Sequence, residues 1–127
     1  MTSLPPASPQ DVIRRFERLL GERDVDGLIE LYEPNAAFQT PAGVITGHAA
    51  IRAALAEFVA LAPTMTGEIQ KVIEVDGTAL LINRWTLRGT APDGSPVQMG
   101  GVSSDVMRRR PDGSWRVLVD DPWGGAG

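Results

Sequence analysis

The sequence predicts an α+β fold in which a curved antiparallel meander sheet packs on three N-terminal helices. Three pairs in the second half of the chain, Asp76-Gly77, Asp93-Gly94 and Asp112-Gly113, each separate two apolar-rich runs. Because Asp-Gly tolerates the positive φ of tight hairpin turns, three such pairs predict four strands joined as a meander. The first half shows helical periodicity instead, and helices followed by a meander are typical of α+β domains.

The first two predicted helices are defined by residues that suit helix ends. Ser8 can cap the first helix, Pro9 fits its first turn, and Gly21 suits its C-terminal end. Asp24 can cap a second helix, which Pro34 ends. The two apolar faces consist of Val12, Phe16, Leu19 and Leu20, and of Val25, Leu28, Ile29 and Tyr32.

A short extended piece at 36–40 and a turn at 41–43 lead to a third helix, which runs from Gly47 to about Leu61. From residue 64 the apolar period changes to two, which indicates strands at roughly 66–75, 79–90, 96–110 and 115–121. Glycines inside long strands usually mark bulges or bends. We therefore expect Gly89 and the Gly100-Gly101 pair to let these strands curve.

The composition excludes several classes of function. The 127 residues include no cysteine and one histidine, so neither disulfides nor Cys-ligated metals are expected. The net charge of −4 argues against nucleic acid, and no apolar run has the roughly 18 residues of a membrane helix. We expect no cofactor, no metal and no membrane partner.

The domain is expected to span residues 9–122, after a disordered lead at 1–8 and before a flexible tail at 123–127. The first six residues carry neither a basic region nor an apolar stretch, so they do not have the pattern of a secretory signal. The expected location is therefore the cytoplasm.

The order of these parts resembles the nuclear transport factor 2-like superfamily, and within it the SnoaL-like group of polyketide cyclases and the related steroid isomerases. The segments that carry the resemblance are GERDVDGL at 21–28, LYEPNA at 31–36, GHAAIR at 47–52 and RRPDGSWR at 109–116. The resemblance implies a cone-shaped cup, an apolar pocket between helices and sheet, and a homodimer through the outer face of the sheet. It indicates fold more than activity, because this scaffold carries enzymes, binders and adaptors.

Asp105 is the first candidate for chemistry, since aspartate is depleted in strands and this one lies mid-strand. Ser103 and Met107 share its face. If that face is the pocket, desolvation raises the carboxyl's pKa, and a neutral carboxyl can donate a hydrogen bond to an oxyanion. By the resemblance, Asp105 matches the oxyanion-hole aspartate of the steroid isomerases. The alternative is a surface aspartate paired with a cross-strand arginine.

Two other steroid isomerase positions are lost. By the resemblance, the helix-1 tyrosine of the oxyanion hole corresponds to Phe16, and the aspartate base corresponds to Thr40. Phenylalanine has no hydroxyl and threonine no useful basicity near neutral pH. Steroid isomerisation is therefore not expected.

Asp120 is the candidate base. Alternation gives Trp115, Val117, Val119 and Asp121 one face of the last strand, and Leu118 and Asp120 the other. The resemblance makes the Leu118 face concave, which would bring Asp120 near Asp105. Two carboxyls in a dry pocket tend to split their pKa values into an acid and a base. The alternative is an exposed turn after the strand.

Three further residues each have two interpretations. Tyr32, on the apolar face of the second helix, is a pocket donor or a core tyrosine. Asn83 orients a ligand or holds Asp105, or it is a satisfied structural amide. Trp123 covers the cup as a lid or packs at a dimer edge. The residues expected to contact a ligand are Phe16, Tyr32, Phe38, Thr40, Leu55, Phe58, Asn83, Trp85, Ser103, Met107, Leu118 and Trp123.

These observations favour a SnoaL-like pocket protein that performs cofactor-free acid–base chemistry of the isomerase or cyclase type. The substrate would be a small, largely apolar or amphipathic carbonyl compound, with Asp105 as the neutral acid and Asp120 as the base. The alternative is a non-catalytic ligand-binding or dimeric accessory protein, which the loss of two catalytic groups at Phe16 and Thr40 favours.

Overall fold

The computed structural model describes residues 4–125 and confirms the α+β architecture. The helices and strands of this part of the chain are α1 (Pro9–Gly21), α2 (Val25–Glu30), β1 (Tyr32–Thr40), β2 (Gly43–Thr46), α3 (His48–Val59), β3 (Thr64–Val75), β4 (Thr78–Thr90), β5 (Pro96–Arg109) and β6 (Trp115–Asp121). One sheet has the strand order β2-β1-β6-β5-β4-β3. Parts of the predicted lead and tail, at 1–3 and 126–127, lie outside the described residues, and both boundaries stay predictions.

The predicted meander forms four of the six strands, from β6 inside the sheet to β3 at its edge. Strands β3 to β6 pair antiparallel in chain order, whereas β1 returns from the helical half and pairs parallel with β6. The three helices cover the concave face of this sheet, so most of the apolar core lies between the two layers. Its largest fully buried side chains are Val12, Leu20, Leu28, Tyr32, Ile51, Leu55, Leu81, Leu87 and Met107.

Both predicted helix starts are capped as expected. The Ser8 hydroxyl accepts a hydrogen bond from the Asp11 amide at 3.1 Å, and the Asp24 carboxylate accepts one from the Gly27 amide at 2.9 Å. Each cap satisfies an amide that has no partner within the helix. No helix within residues 4–125 is long and apolar enough to cross a membrane.

The placement of Tyr32 on the second helix is wrong, because α2 ends at Glu30 and Tyr32 begins β1. Pro34 explains the early end, since in a continued helix its ring would clash with the carbonyl four residues earlier, which is that of Glu30. The Leu31 carbonyl then accepts a hydrogen bond from the Val117 amide at 2.7 Å, which fastens the chain to β6. Tyr32 therefore reaches the concave face from a strand.

Strand β2 was not predicted. Its four residues are too few to show a period, and it pairs antiparallel with the end of β1. Thr40 closes this hairpin: its hydroxyl donates to the Gly43 carbonyl at 2.8 Å and accepts from the Ala42 amide at 3.2 Å. The threonine hydroxyl is thus committed to the turn.

The three Asp-Gly turns are of two kinds. Asp76 and Gly77 both have positive φ, +49° and +73°, as a two-residue type I′ hairpin requires. The other two loops share the sequence Pro-Asp-Gly-Ser at 92–95 and 111–114. In each, the aspartate accepts bonds from the serine amide at 2.9 Å and the serine hydroxyl at 2.6 Å. These bonds lower the pKa of Asp93 and of Asp112.

Of the two features expected at the strand glycines, bulges or bends, the bulges occur elsewhere. The β4–β5 register is unbroken through Gly89, Gly100 and Gly101. The extra residues are Gln70, where the β3–β4 register shifts, and Leu118, where the β5–β6 register shifts. The strand glycines instead admit close neighbours; a Cβ on Gly89 would lie 2.6 Å from the Leu61 carbonyl oxygen.

Candidate functional site

A cavity of about 70 Å³ lies between the helices and the concave face of the sheet. Since a buried water needs roughly 10–15 Å³ on this measure, the space holds about five waters or a comparably small molecule. Ten of the expected ligand contacts line it, together with Asp105 and Asp120: Phe16, Tyr32, Phe38, Leu55, Phe58, Asn83, Trp85, Ser103, Met107 and Trp123. The lining residues that were not among the ligand contacts expected from the sequence are Val12, Ile13, Leu20, Met65, Leu87, Val117 and Pro122.

Two expected contacts do not line the cavity. Thr40 lies at the β1–β2 turn, where its hydroxyl is already bonded. Leu118 is the bulged residue of β6, and the bulge reverses alternation between Val117 and Asp120. Val117, assigned to the outer face, is therefore a cavity residue, and Leu118 is not.

Asp105 and Asp120 face each other across β5 and β6. They are direct partners in the antiparallel register, and both line the cavity. Asp105 is 5% exposed, and its Oδ2 accepts a hydrogen bond from the Ser103 hydroxyl at 2.9 Å. Without the Leu118 bulge, Asp120 and Val117 would lie on opposite faces, so the bulge is what lets both line the cavity.

Tyr32 extends the carboxyl pair on the β1 side. Its hydroxyl donates to Asp120 Oδ2 at 2.6 Å, a short bond typical of an ionised acceptor. Complete burial, followed by the negative charge of Asp120, raises the pKa of Tyr32 well above its ordinary value. Tyr32 therefore stays protonated and acts as a fixed donor to Asp120.

The two carboxyls differ in their surroundings. Burial, and next the charge of Asp120, raise the pKa of Asp105 well above its ordinary value. Burial also raises the pKa of Asp120, but the hydrogen bonds from Tyr32 and Asp105 oppose that rise. At pH values where a single carboxyl would be ionised, such a pair still retains one proton. We place the proton on Asp105 and the charge on Asp120.

Asn83 contributes a polar atom that is not used inside the protein. The residue is 4% exposed and lines the cavity, and its Oδ1 has no hydrogen-bond partner among the described residues. Gly67 makes room for it, because a Cβ there would lie 2.8 Å from this oxygen. A buried polar atom without a partner is costly and rare in folded proteins.

Trp123 covers one side of the cavity from the segment that follows β6. Its indole donates to the Gly100 carbonyl at 3.2 Å and packs edge-on against Trp85, with ring centroids 5.6 Å apart. Trp85 in turn donates to the Pro122 carbonyl at 2.7 Å. A Cβ on Gly101 would lie 2.5 Å from the Trp123 ring, so the ring needs a glycine beneath it.

Replacement of Gly101 tests this cover. In Gly101→Ala the added methyl is expected to displace the Trp123 ring and widen the cavity mouth. Iodide quenching of tryptophan fluorescence should increase, while far-UV circular dichroism stays unchanged. The control variant is Ala53→Ser on the exposed side of α3. Gly94→Ala is unsuitable as a control, because Gly94 has a positive φ and alanine would be strained there. Unchanged quenching would show that the ring does not depend on Gly101.

His48 is half-buried at the start of α3. Its Nε2 lies 2.8 Å from the Tyr32 carbonyl, so the imidazole joins α3 to β1 outside the cavity. Within residues 4–125, no group of three or more His, Cys, Asp or Glu side chains is placed to hold a metal ion.

The chain is similar to several solved structures at low identity. A conserved protein from Planctomyces limnophilus is 18% identical with a TM-score of 0.79, covering 87% of this chain and 88% of that one. An NTF2-like superfamily protein from Salmonella enterica is 18% identical at 0.75, covering 87% and 84%. An NTF2-like protein with a cystatin-like fold from Novosphingobium aromaticivorans is 20% identical at 0.73, covering 87% and 75%. At these identities the likeness shows the fold.

The family is shown by the sequence itself. The SnoaL-like domain matches residues 13–117, from the middle of α1 to the middle of β6. The matched range includes the lining residues from Ile13 to Val117, Asp105 among them, and it ends before Asp120. No curated protein matches the chain. The chain belongs to the SnoaL-like domain family.

Proposed function

We propose that this protein is a cofactor-free enzyme that moves a proton next to the carbonyl group of a small molecule. The observation that carries the proposal is the buried pair of Asp105 and Asp120, with Tyr32 donating to Asp120 at 2.6 Å. A neutral and an ionised carboxyl in one small apolar cavity are the acid and the base that enolisation needs.

In the proposed reaction, the carbonyl oxygen of the substrate lies beside protonated Asp105 and the adjacent C–H beside Asp120. Asp120 takes the proton from carbon, and the electron pair of that C–H bond forms the enolate. Asp105 donates a hydrogen bond to the oxygen where negative charge develops. Asp120 then returns the proton to carbon, either at the same atom or at a conjugated one, which gives exchange or isomerisation.

The cavity limits the size of the substrate. About five waters of space accommodate a molecule of roughly five non-hydrogen atoms unless Trp123 moves. A steroid or a folded polyketide exceeds this several-fold. Phe16 lines the cavity without a hydroxyl, and this observation favours the second candidate, a binding protein without catalysis.

Deuterium exchange tests the proposal directly. Butanone and cyclopentanone are incubated with the protein in D₂O, and loss of the α-proton signal is followed by ¹H NMR. Exchange faster than in buffer, and saturable with ketone concentration, supports the enzyme. Ketones that shift cavity resonances without faster exchange would leave the binding protein instead.

We also propose that the protein forms a homodimer through the outer face of its sheet. Four apolar residues form a row across β3 to β6, since Ile73 pairs with Leu80, Leu80 with Val106, and Val106 with Val119. Ile73 is 54% exposed and Leu80 39%. A contiguous apolar row on an open sheet face supports burial against a second copy.

Leu80→Glu tests the dimer. A charge at the centre of the row is expected to convert a species of about twice 13.6 kDa into one of 13.6 kDa, as measured by analytical ultracentrifugation. Ala53→Glu, an equal charge change on the exposed side of α3, should leave the mass unchanged. A wild-type chain that sediments as a monomer at high micromolar concentration would contradict the proposal.

A further inference from the structure

The charge of the cavity is negative and has no internal counterion. Asp105 and Asp120 line it, and none of the lining residues that the structure describes is a lysine, arginine or histidine. None of the described salt bridges includes either carboxyl, although one of them, between Arg14 and Glu17, lies at Gly67 beside Asn83. An anionic ligand would therefore be repelled at this site, while a cation would supply the missing partner.

The walls around this charge are aromatic. The chain has three Phe, one Tyr and three Trp, and six of these seven residues line the cavity. They are Phe16, Tyr32, Phe38, Phe58, Trp85 and Trp123. Aromatic faces carry partial negative charge and attract organic cations, which is how ammonium groups are commonly recognised.

Asn83 adds a hydrogen-bond acceptor to the same wall. Two buried side-chain oxygens, Asp105 Oδ1 and Asn83 Oδ1, have no partner among the described residues. A proton shared with Asp120 supplies a partner for Asp105, whereas nothing in the described part of the chain donates to Asn83 Oδ1. Asn83 pairs with Ser103 across β4 and β5, and Ser103 lies two residues from Asp105 on the same face. The unused acceptor is thus a close neighbour of the carboxyl pair on one wall.

We propose that the ligand is a small organic ammonium ion, which donates an N–H bond to Asn83 Oδ1 and whose positive charge is balanced by the negative charge of the carboxyl pair. This ligand is favoured by the negative charge of the carboxyl pair, the aromatic lining, the unused acceptor of Asn83 and the small volume of the cavity. The inference deepens the proposed function: the substrate class becomes small amino ketones, and that part alone rests on the proposed chemistry. Binding of the ammonium group does not depend on catalysis.

Three probes of equal size separate charge from hydrogen bonding. Tert-butylammonium has charge and N–H donors, tetramethylammonium has charge alone, and tert-butanol is neutral; each has five non-hydrogen atoms. The indole N–H resonances of Trp85 and Trp123 report on the cavity in ¹H–¹⁵N spectra, and Trp115, which does not line it, is the internal reference. Dissociation constants of order millimolar are expected for ligands this small.

The expected order of affinity is tert-butylammonium, then tetramethylammonium, then tert-butanol, with at least tenfold between the first and the last. Pivalate, an anion of similar shape, should not shift Trp85. Equal affinity for tert-butylammonium and tert-butanol, binding of pivalate, or shifts of Trp115 as large as those of Trp85 would each overturn the inference.

Two variants assign the contacts. Asp120→Asn should weaken both cations at least tenfold and leave tert-butanol unchanged. Asn83→Leu, similar in shape, should weaken tert-butylammonium about tenfold and tetramethylammonium hardly at all. Glu57→Gln, the same charge change on an exposed residue of α3, should change neither. A cation preference that survives the double variant Asp105→Asn with Asp120→Asn, in which neither carboxyl of the pair can ionise, would overturn the inference.

The binding and exchange experiments fail independently. Ammonium binding without exchange of ketone protons supports this inference and contradicts the proposed function. Ketone exchange with no preference for cations supports the enzyme and overturns the ammonium ligand.

Discussion

Asp120→Asn is expected to lower the rate of ketone α-proton exchange by about 10²- to 10⁴-fold, the usual contribution of a general base. The amide keeps the shape of the side chain and can still accept from Tyr32, but it cannot take up a proton. Since the substrate's other contacts remain, ketone binding should change little. The measurement is the exchange rate in D₂O at saturating butanone, with binding followed by the Trp85 resonance.

Matched variants separate the roles of the groups around Asp120. Asp105→Asn keeps a hydrogen-bond donor toward the oxygen and should therefore lose less activity than Asp120→Asn. Tyr32→Phe removes the donor at 2.6 Å from Asp120 and should shift the pH dependence of exchange toward higher pH, because the base becomes a stronger one. Glu57→Gln should leave the rate unchanged. Full exchange activity in Asp120→Asn would assign the base to another residue.

The face of Asp105 follows from alternation, whereas that of β6 does not. Ser103, Asp105 and Met107 share one face in sequence and in structure, because β5 continues without a bulge through these residues. In β6 the extra residue Leu118 exchanges the faces of the residues on either side of it. The sequence of Trp115–Asp121 contains no glycine or proline from which this bulge could be predicted. Alternation alone therefore exchanges Val117 and Leu118 between faces.

Tyr32 shows a second limit of sequence patterns. Its spacing from Val25, Leu28 and Ile29 fits a helix face, yet it lies in a strand. The pairing of β1 with β6, which joins residues more than 80 positions apart, decides its conformation. Such long-range pairing leaves no local signal, so the bond from Tyr32 to Asp120 could not be predicted, although both residues were candidates.

The second large effect is on stability: Asp105→Asn is expected to make the protein more stable than wild type above about pH 5. Burial raises the pKa of Asp105 in the folded chain, whereas in the unfolded chain the carboxyl ionises near its ordinary value. The folded state then binds one more proton than the unfolded state, so the free energy of unfolding falls as pH rises through this window. The fall is at most about 1.4 kcal/mol per pH unit while Asp105 keeps its proton.

Asparagine removes this dependence and can still donate to Asp120, as protonated Asp105 does. Urea unfolding at pH 5, 6, 7 and 8 should show wild type and Asp105→Asn diverging as pH rises, with the variant ahead and a difference that is smallest at pH 5. Asp93 and Asp112, whose pKa values are lowered in the fold, act at the acid end and in both proteins alike. Parallel curves for the two proteins would mean that Asp105 ionises normally in the fold, and the carboxyl pair would then hold two charges rather than one. The protein is thus expected to be least stable at the pH values where Asp120 is ionised and can act as the base. Such a loss of stability is common at functional sites, and here it arises because the burial that keeps Asp105 neutral also opposes the charge on Asp120.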